Sequence, residues 1–217
     1  MKEIPVLDLD PDQLLTTTRA VRKRLDYDKP VPRAVIQECL EVALQAPNGG
    51  NMNNWRWIIV DDPALVAQVA EIYNGGLDDY IELLDESGGY PGAAVVGADR
   101  IDSSVSYLRE NFHRLPAVLV PVFAGRMDSA NTFYQASSWG SIIQSVWSFM
   151  LALRARGLGS AWTTGHLWRE ADLSRLLNIP EYFTQVGLFP IAYTLGTDFK
   201  PAYRKDAAEV LSWNSFS

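Results

Sequence analysis

Residues 16–25 read TTTRAVRKRL and gather four cations, Arg19, Arg22, Lys23 and Arg24, into six positions. Arg19 and Arg22 are three apart, so a helical turn puts them on one face and an extended chain lets them flank one group. Either arrangement can grip a phosphate bidentately, which a planar guanidinium does better than an ammonium. Thr16, Thr17 and Thr18 add hydroxyl donors. The same run also suits a solvated basic turn paired with Asp26 and Asp28, because charge runs usually face water. A second cluster, APNGGNMNNW, holds four Asn and two Gly within residues 48–54. Its backbone can approach a ligand closely and its amides can both donate and accept. A plain turn between a helix and a strand accounts for it equally well. A third stretch, GLGSAWTTG at residues 157–165, can bring backbone N–H groups against a planar ligand, although a helix cap already explains Gly157. No nucleophile–base pair stands out. His113 and His166 lie too far apart in sequence for metal-site spacing, and His166 reads as structural.

These segments need elements to position them. Asp10 and Pro11 predict a short helix through about Thr16. Pro32 opens a helix with apolar positions Val35, Ile36, Cys39, Leu40, Ala43 and Leu44, and Pro47 ends it. WRWIIVDD reads as a strand, and Pro63 opens a helix through about Tyr73. Asn74–Gly97, with paired glycines, Tyr80 and Tyr90, is expected to hold a helix and a mobile loop that shapes a binding pocket. IDSSVSYLRENFHRL reads as a helix capped by Asp102 or Ser103, and PAVLVPVFAG as a strand. From Tyr134 to about Arg156 the chain is apolar or small on nearly every side, the mark of a central or interface helix. GSAWTT then reads as a strand, READLSRLLNI as a helix and TQVGLFPIAYTLG as a strand. The tail carries a second basic group, Lys200, Arg204 and Lys205. The pattern is α+β in one domain spanning residues 1–217, with a variable region at about 74–115.

Composition narrows the function. The 217 residues carry 19 basic and 26 acidic side chains, a formal net charge of −7, which argues against a broad nucleic-acid surface. One cysteine, Cys39, leaves no intrachain disulfide and fits a reducing, cytoplasmic setting. No signal pattern opens the chain, and the most apolar run, IIQSVWSFMLAL, is too short to span a bilayer.

Taken in order, four segments resemble the nitroreductase family of FMN-dependent oxidoreductases. TRAVRKRLDYDKPVP resembles the family's arginine-rich opening, and ALQAPNGGNMNNW resembles Ala-Pro-Ser-x-x-Asn-x-Gln-x-Trp. SIIQSVWSFMLALRARGLGSAWTT looks like its long central helix with a Gly-Leu-Gly exit. IAYTLGTDFKPAYRK looks like its last strand and final phosphate-binding arginine. The resemblance covers roughly Leu14 to Trp213 and is weakest from Asn74 to Leu115. It implies a central, mostly antiparallel sheet surrounded by helices in an interlocked homodimer, with FMN at the interface. Arg19 and Arg22 would hold the phosphate, with Thr18 and Ala20 beside them and Arg204 returning from the far end. Asn51 would contact the isoalloxazine or ribityl chain, with Pro47, Asn48 and Gly49 lining that loop. Trp162, Thr163 and Thr164 would pass along the flavin edge. Thr18, Ala20, Asn48, Asn53 and Asn54 depart from the residues common at those places. The implied activity is hydride transfer from NADH or NADPH to nitroaromatic, quinone or activated-alkene acceptors, in ping-pong order. The flavin would carry that hydride chemistry, so no protein acid–base residue is strictly needed for it; FMN storage, reductive dehalogenation and flavin fragmentation are the alternatives.

Overall fold

The computed structural model describes residues 5–86 and 98–216. In chain order the elements are α1 (Pro11–Thr17), β1 (Leu25–Asp26), α2 (Arg33–Ala43), β2 (Trp55–Val60), α3 (Pro63–Glu86) and α4 (Ala98–Asn111). There follow β3 (Ala117–Ala124), α5 (Thr132–Ala155), β4 (Leu158–Gly159), α6 (Glu170–Leu177), β5 (Phe183–Gln185) and β6 (Phe189–Thr194). Helix starts follow local chemistry. The Asp10 carboxylate accepts from the Gln13 N–H at 2.7 Å while the Gln13 side chain accepts from the Asp10 N–H at 3.1 Å, a capping box around Pro11. Asn131 caps α5 by accepting from the Tyr134 N–H at 3.1 Å. Beyond α5, Gly157 takes the left-handed conformation, φ +74°, that lets the chain turn away from a helix end.

The sheet runs β1-β6-β3-β2, with every neighbour antiparallel; β4 also pairs with β6 and β5 with β3. Strand β3 is buried on both faces, and its side chains alternate between two cores. Ala117, Leu119 and Phe123 join a core with Val35, Ile36 and Cys39 of α2 and Ile142, Val146, Phe149 and Leu153 of α5. Val118, Val120 and Val122 join the other, with Val66, Val69 and Tyr73 of α3, Leu108 of α4 and Leu173 of α6. The buried Ser145 hydroxyl of α5 donates to the Ala43 carbonyl at 2.7 Å, locking α5 to the end of α2.

Four elements differ from the sequence reading, the first being α4, which begins at Ala98 and so holds Asp102 and Ser103 inside it rather than as its cap. Segment GSAWTT is not a regular strand: only Leu158–Gly159 pair along a strand, and single bridges follow at Ser160 (with Ala20) and Thr163 (with Leu188). The expected strand TQVGLFPIAYTLG breaks into β5 and β6 because the register against β3 shifts by one residue at Val186–Leu188, opposite Pro121, which has no N–H to donate. The helix from Pro63 does not stop at Tyr73 but continues through Gly75 and Gly76 to Glu86. Tyr90 and the rest of the second glycine-rich stretch lie outside the described residues.

Helix α3 passes through its glycines because it packs too closely for a side chain. A Cβ on Gly76 would meet the Gly165 carbonyl oxygen at 2.1 Å, and one on Gly75 would meet the Arg169 guanidinium at 2.0 Å. Alanine improves helix propensity by about 1 kcal/mol at either site. At Gly76 the obstacle is backbone, and the forced displacement costs about 1–3 kcal/mol. At Gly75 it is the far end of a side chain that can swing aside. Gly76→Ala is therefore expected to lower the urea midpoint, and Gly75→Ala to leave it near that of the parent. Equal midpoints for the two variants would contradict this reading of the helix contact.

Candidate functional site

The bulge in the last strand pair carries the third of the sequence clusters. Leu188, turned away from β3, exchanges backbone hydrogen bonds with Thr163: Thr163 N–H to Leu188 O at 3.0 Å and Leu188 N–H to Thr163 O at 2.9 Å. The Thr163 hydroxyl donates to the same Leu188 carbonyl at 2.8 Å. Gly187 leaves room for the segment, since a Cβ there would meet Trp162 Nε1 at 2.8 Å. Trp162 packs edge-on against Phe189, centroids 5.1 Å apart. Thus held, Trp162, Thr163, Thr164 and Gly165 form one wall of a cavity of 320 Å³. Tyr73, Leu77 and Tyr80 of α3 line it as well, with Val105 of α4, Trp168 and Arg22. Arg22 is half-buried; its Nη1 reaches Ser104 Oγ at 3.4 Å while its Nε is buried with no partner among the described residues. Burial lowers the proton affinity of this guanidinium. A cation lining an aromatic cavity suits a planar ligand that carries acceptor atoms.

Arg22 and Trp162–Thr164 thus meet, whereas the other sequence candidates take other positions. Arg19 is exposed, its Nη1 donating to the Lys200 carbonyl at 3.2 Å. Thr18 closes α1, its hydroxyl donating to Leu14 O at 2.6 Å, and Ala20 bridges to Ser160. Arg204 lies in the exposed tail, its Nη1 on the Tyr203 carbonyl at 2.7 Å. None of Pro47, Asn48, Gly49 and Asn51 lines the Arg22 cavity; Gly49–Asn51 meets α5, where the Gly49 N–H donates to Ser141 Oγ at 2.8 Å. Much of this loop's asparagine is turn chemistry. Asn51 and Asn53 adopt φ of 51° and 50°, a region that Asn tolerates better than most residues. Asn48 and Asn53 bond each other through N–H to Oδ1 at 3.0 Å and Nδ2 to Oδ1 at 3.2 Å, and Asn54 Nδ2 donates to Ala124 O at 3.3 Å.

A family model described as the nitroreductase family matches residues 15–193. The chain belongs to the nitroreductase family. It is 26% identical over 221 residues to a protein of Thermus thermophilus named NADH dehydrogenase, covering 97% of this chain and 98% of that one. It is likewise 26% identical over 204 residues to a protein of Thermotoga neapolitana named iodotyrosine deiodinase, covering 93% and 97%. A solved structure of an iodotyrosine deiodinase bound to FMN and 3-iodo-L-tyrosine shares the fold, with TM-score 0.69, 24% identity and coverage of 94% and 98%.

In this nitroreductase-family chain, three residues of the cavity region carried no signal as sites. Leu77 follows Tyr73 by four and precedes Tyr80 by three, the spacing of one helix face, but that face exists only because α3 continues through its glycines. Trp168 stands opposite Tyr80, centroids 6.2 Å apart. Arg169 clamps the same stretch of α3 through a two-point pair with Asp79, at 2.7 and 2.8 Å.

His166, directly after Gly165, is fully buried, and among the described residues neither ring nitrogen has a hydrogen-bond partner of sound geometry. Burial pushes its pKa down to about 3, opposed only in part by the facing Gln185 amide. His166 therefore stays neutral in the folded protein, while the unfolded chain takes up a proton below about pH 6.5. Between those values the unfolded state binds more protons, so stability falls as the pH falls. From pH 7 to pH 5 this one group removes about 2 kcal/mol. In His166→Asn the urea midpoint should lose that part of its pH dependence; an unchanged dependence would exclude His166 as its source.

Proposed function

We propose that the protein is a homodimeric FMN-dependent oxidoreductase that takes hydride from NADH or NADPH and delivers it to a nitroaromatic, quinone or activated-alkene acceptor. Membership of the nitroreductase family supports a flavin oxidoreductase with FMN as cofactor. The observation that carries the reading at residue level is the cavity in which Arg22, with its buried and unpartnered Nε, meets Trp162, Thr164 and Gly165. Its residues fit a flavin: aromatic walls for a planar ring, an unused guanidinium donor for ring oxygens, and backbone approach at Gly165. Bound FMN supplies the hydride-accepting and hydride-donating centre, which is why the site needs no acid–base dyad.

The chain's own groups divide the remaining work. Arg22 offers fixed positive charge where negative charge develops on reduction, in surroundings that screen it poorly. Thr163 already donates both its N–H and its hydroxyl to Leu188, so it sets the position of the wall, and Thr164 is the exposed neighbour that can face a ligand. Arg19 and Arg204 are the exposed cations for the phosphate. The Asn51 loop belongs to the site of the second copy. Its flank of α5 leaves large apolar side chains in water, Phe133 at 74% exposure, Tyr134 at 59% and Trp147 at 38%, next to Met52 at 65%. A second subunit packed there would cover them and bring its own loop to the Arg22 cavity.

Reductive dehalogenation at the same site is the second reading, favoured by the full-length similarity to the Thermotoga neapolitana protein. The purified protein is expected to be yellow, to bleach anaerobically with NADH or NADPH, and to sediment as a dimer. Turnover with menadione or a nitroaromatic supports the first reading, and iodide release from 3-iodo-L-tyrosine supports the second. Asn51→Gly, which removes the amide and keeps the left-handed backbone accessible, should weaken FMN binding while leaving the fold intact. Protein that takes up no FMN, or a flavin-loaded monomer, would rule out the corresponding part of the proposal.

A further inference from the structure

Arg154 lies in the last turn of α5 and is only 5% exposed. Among the described residues it forms none of the ion pairs. Its Nη2 donates to Thr17 Oγ1 at 3.2 Å and to the Thr197 carbonyl at 3.0 Å, while Nε and Nη1 are buried without partners. Burial first, and then the charge of Arg24, lower its proton affinity. An uncompensated buried cation is costly, and an apolar side chain of similar volume is usually tolerated better in such a place.

The surroundings indicate what this charge does. Arg154 lies over the Phe199 ring at 5.1 Å, and Arg24 lies over the same ring at 4.3 Å. Arg24 also donates to Leu195 O at 2.9 Å and pairs with Asp198 at 2.6 Å. Arg19 reaches Lys200 O at 3.2 Å. Three arginines, two from the basic run at 19–24 and one from the end of α5, thus hold residues 195–200, and Arg204 follows four positions later. Arg19 joins the two segments at the surface, and Arg154 joins them from beneath: the end of α1, two residues before Arg19, and the start of the tail that carries Arg204.

We propose that Arg154 is a positioning residue for the cofactor phosphate, tying the end of α1 to the tail so that Arg19 and Arg204 converge on one anion. This rests on the FMN reading above. The buried charge also adds to the positive field of that corner without contacting the ligand. Arg154→Met keeps the volume and removes the charge and the donors.

The test is a fluorescence-quench titration of apoprotein with FMN and with riboflavin, which lacks the phosphate. In Arg154→Met the dissociation constant for FMN should rise about tenfold, while that for riboflavin stays within about twofold of the parent. Equal losses for the two flavins would make Arg154 a purely structural residue, and unchanged FMN affinity would leave it no role at the site; either result overturns the inference. Should Arg154→Met not fold, Arg154→Lys, with one ammonium in place of the fork, carries the same criterion at a three- to tenfold loss for FMN alone. A parent protein that binds FMN no better than riboflavin overturns this inference and leaves the flavin reading standing. A parent that binds neither overturns both.

Discussion

The absent N–H of Pro121 is the constraint from which the site follows. In an antiparallel ladder a residue's N–H and C=O point to the same neighbouring strand. The Pro121 carbonyl accepts from the Val186 N–H at 3.0 Å, so the missing donor faces that same stretch. Regular pairing would leave an acceptor there without a partner, and the strand bulges instead. The bulge frees Leu188 to pair with Thr163 and places Gly187 where a side chain would strike Trp162. One wall of the cavity is therefore suspended from a defect in the sheet, and α3 closes on it through Gly76 and the Asp79–Arg169 pair.

Elements whose causes are local were legible in the sequence. Pro11, Pro32 and Pro63 mark helix starts, Gly157 marks a helix end, and β2 and β3 follow their apolar runs. Where the cause lies elsewhere in the chain, the local pattern misleads. Gly75 and Gly76 look like a break because the carbonyl that requires a glycine belongs to Gly165, and TQVGLFPIAYTLG looks continuous because its interruption is set by Pro121. The candidate site divides in the same way. Its three polar segments stood out by composition, but which of them meet is a property of packing. Arg19 and Arg22, three apart, have different neighbours: one lies on the tail and the other at the cavity. Arg154 carried no signal as a site, because its burial and its two unused donors depend on the tail folding back over it.

Charge in this acidic chain sorts by position. Arg24, Arg109, Arg126 and Arg169 are paired with Asp198, Asp78, Glu170 and Asp79 at partly exposed places. Each such pair contributes about 0–1 kcal/mol, so their main effect is to fix geometry. The two-point contact of Arg126 with Glu170, at 2.7 and 3.0 Å, joins the end of β3 to the start of α6. Arg22 and Arg154, by contrast, are drawn inward without carboxylates, one at the cavity and one beneath the tail. Among the described residues no carboxylate pairs with either, so each leaves positive charge uncompensated at its place.

Cys39, the only thiol, is completely enclosed between α2 and α5, where burial pushes its pKa up to about 11. At neutral pH its thiolate fraction is on the order of one in ten thousand, and the side chain is inert to alkylating reagents while the helices stay closed. Labelling of this sulfur therefore requires α2 to part from α5. The rate of its alkylation is a clock for that local opening, built into the chain without an added probe.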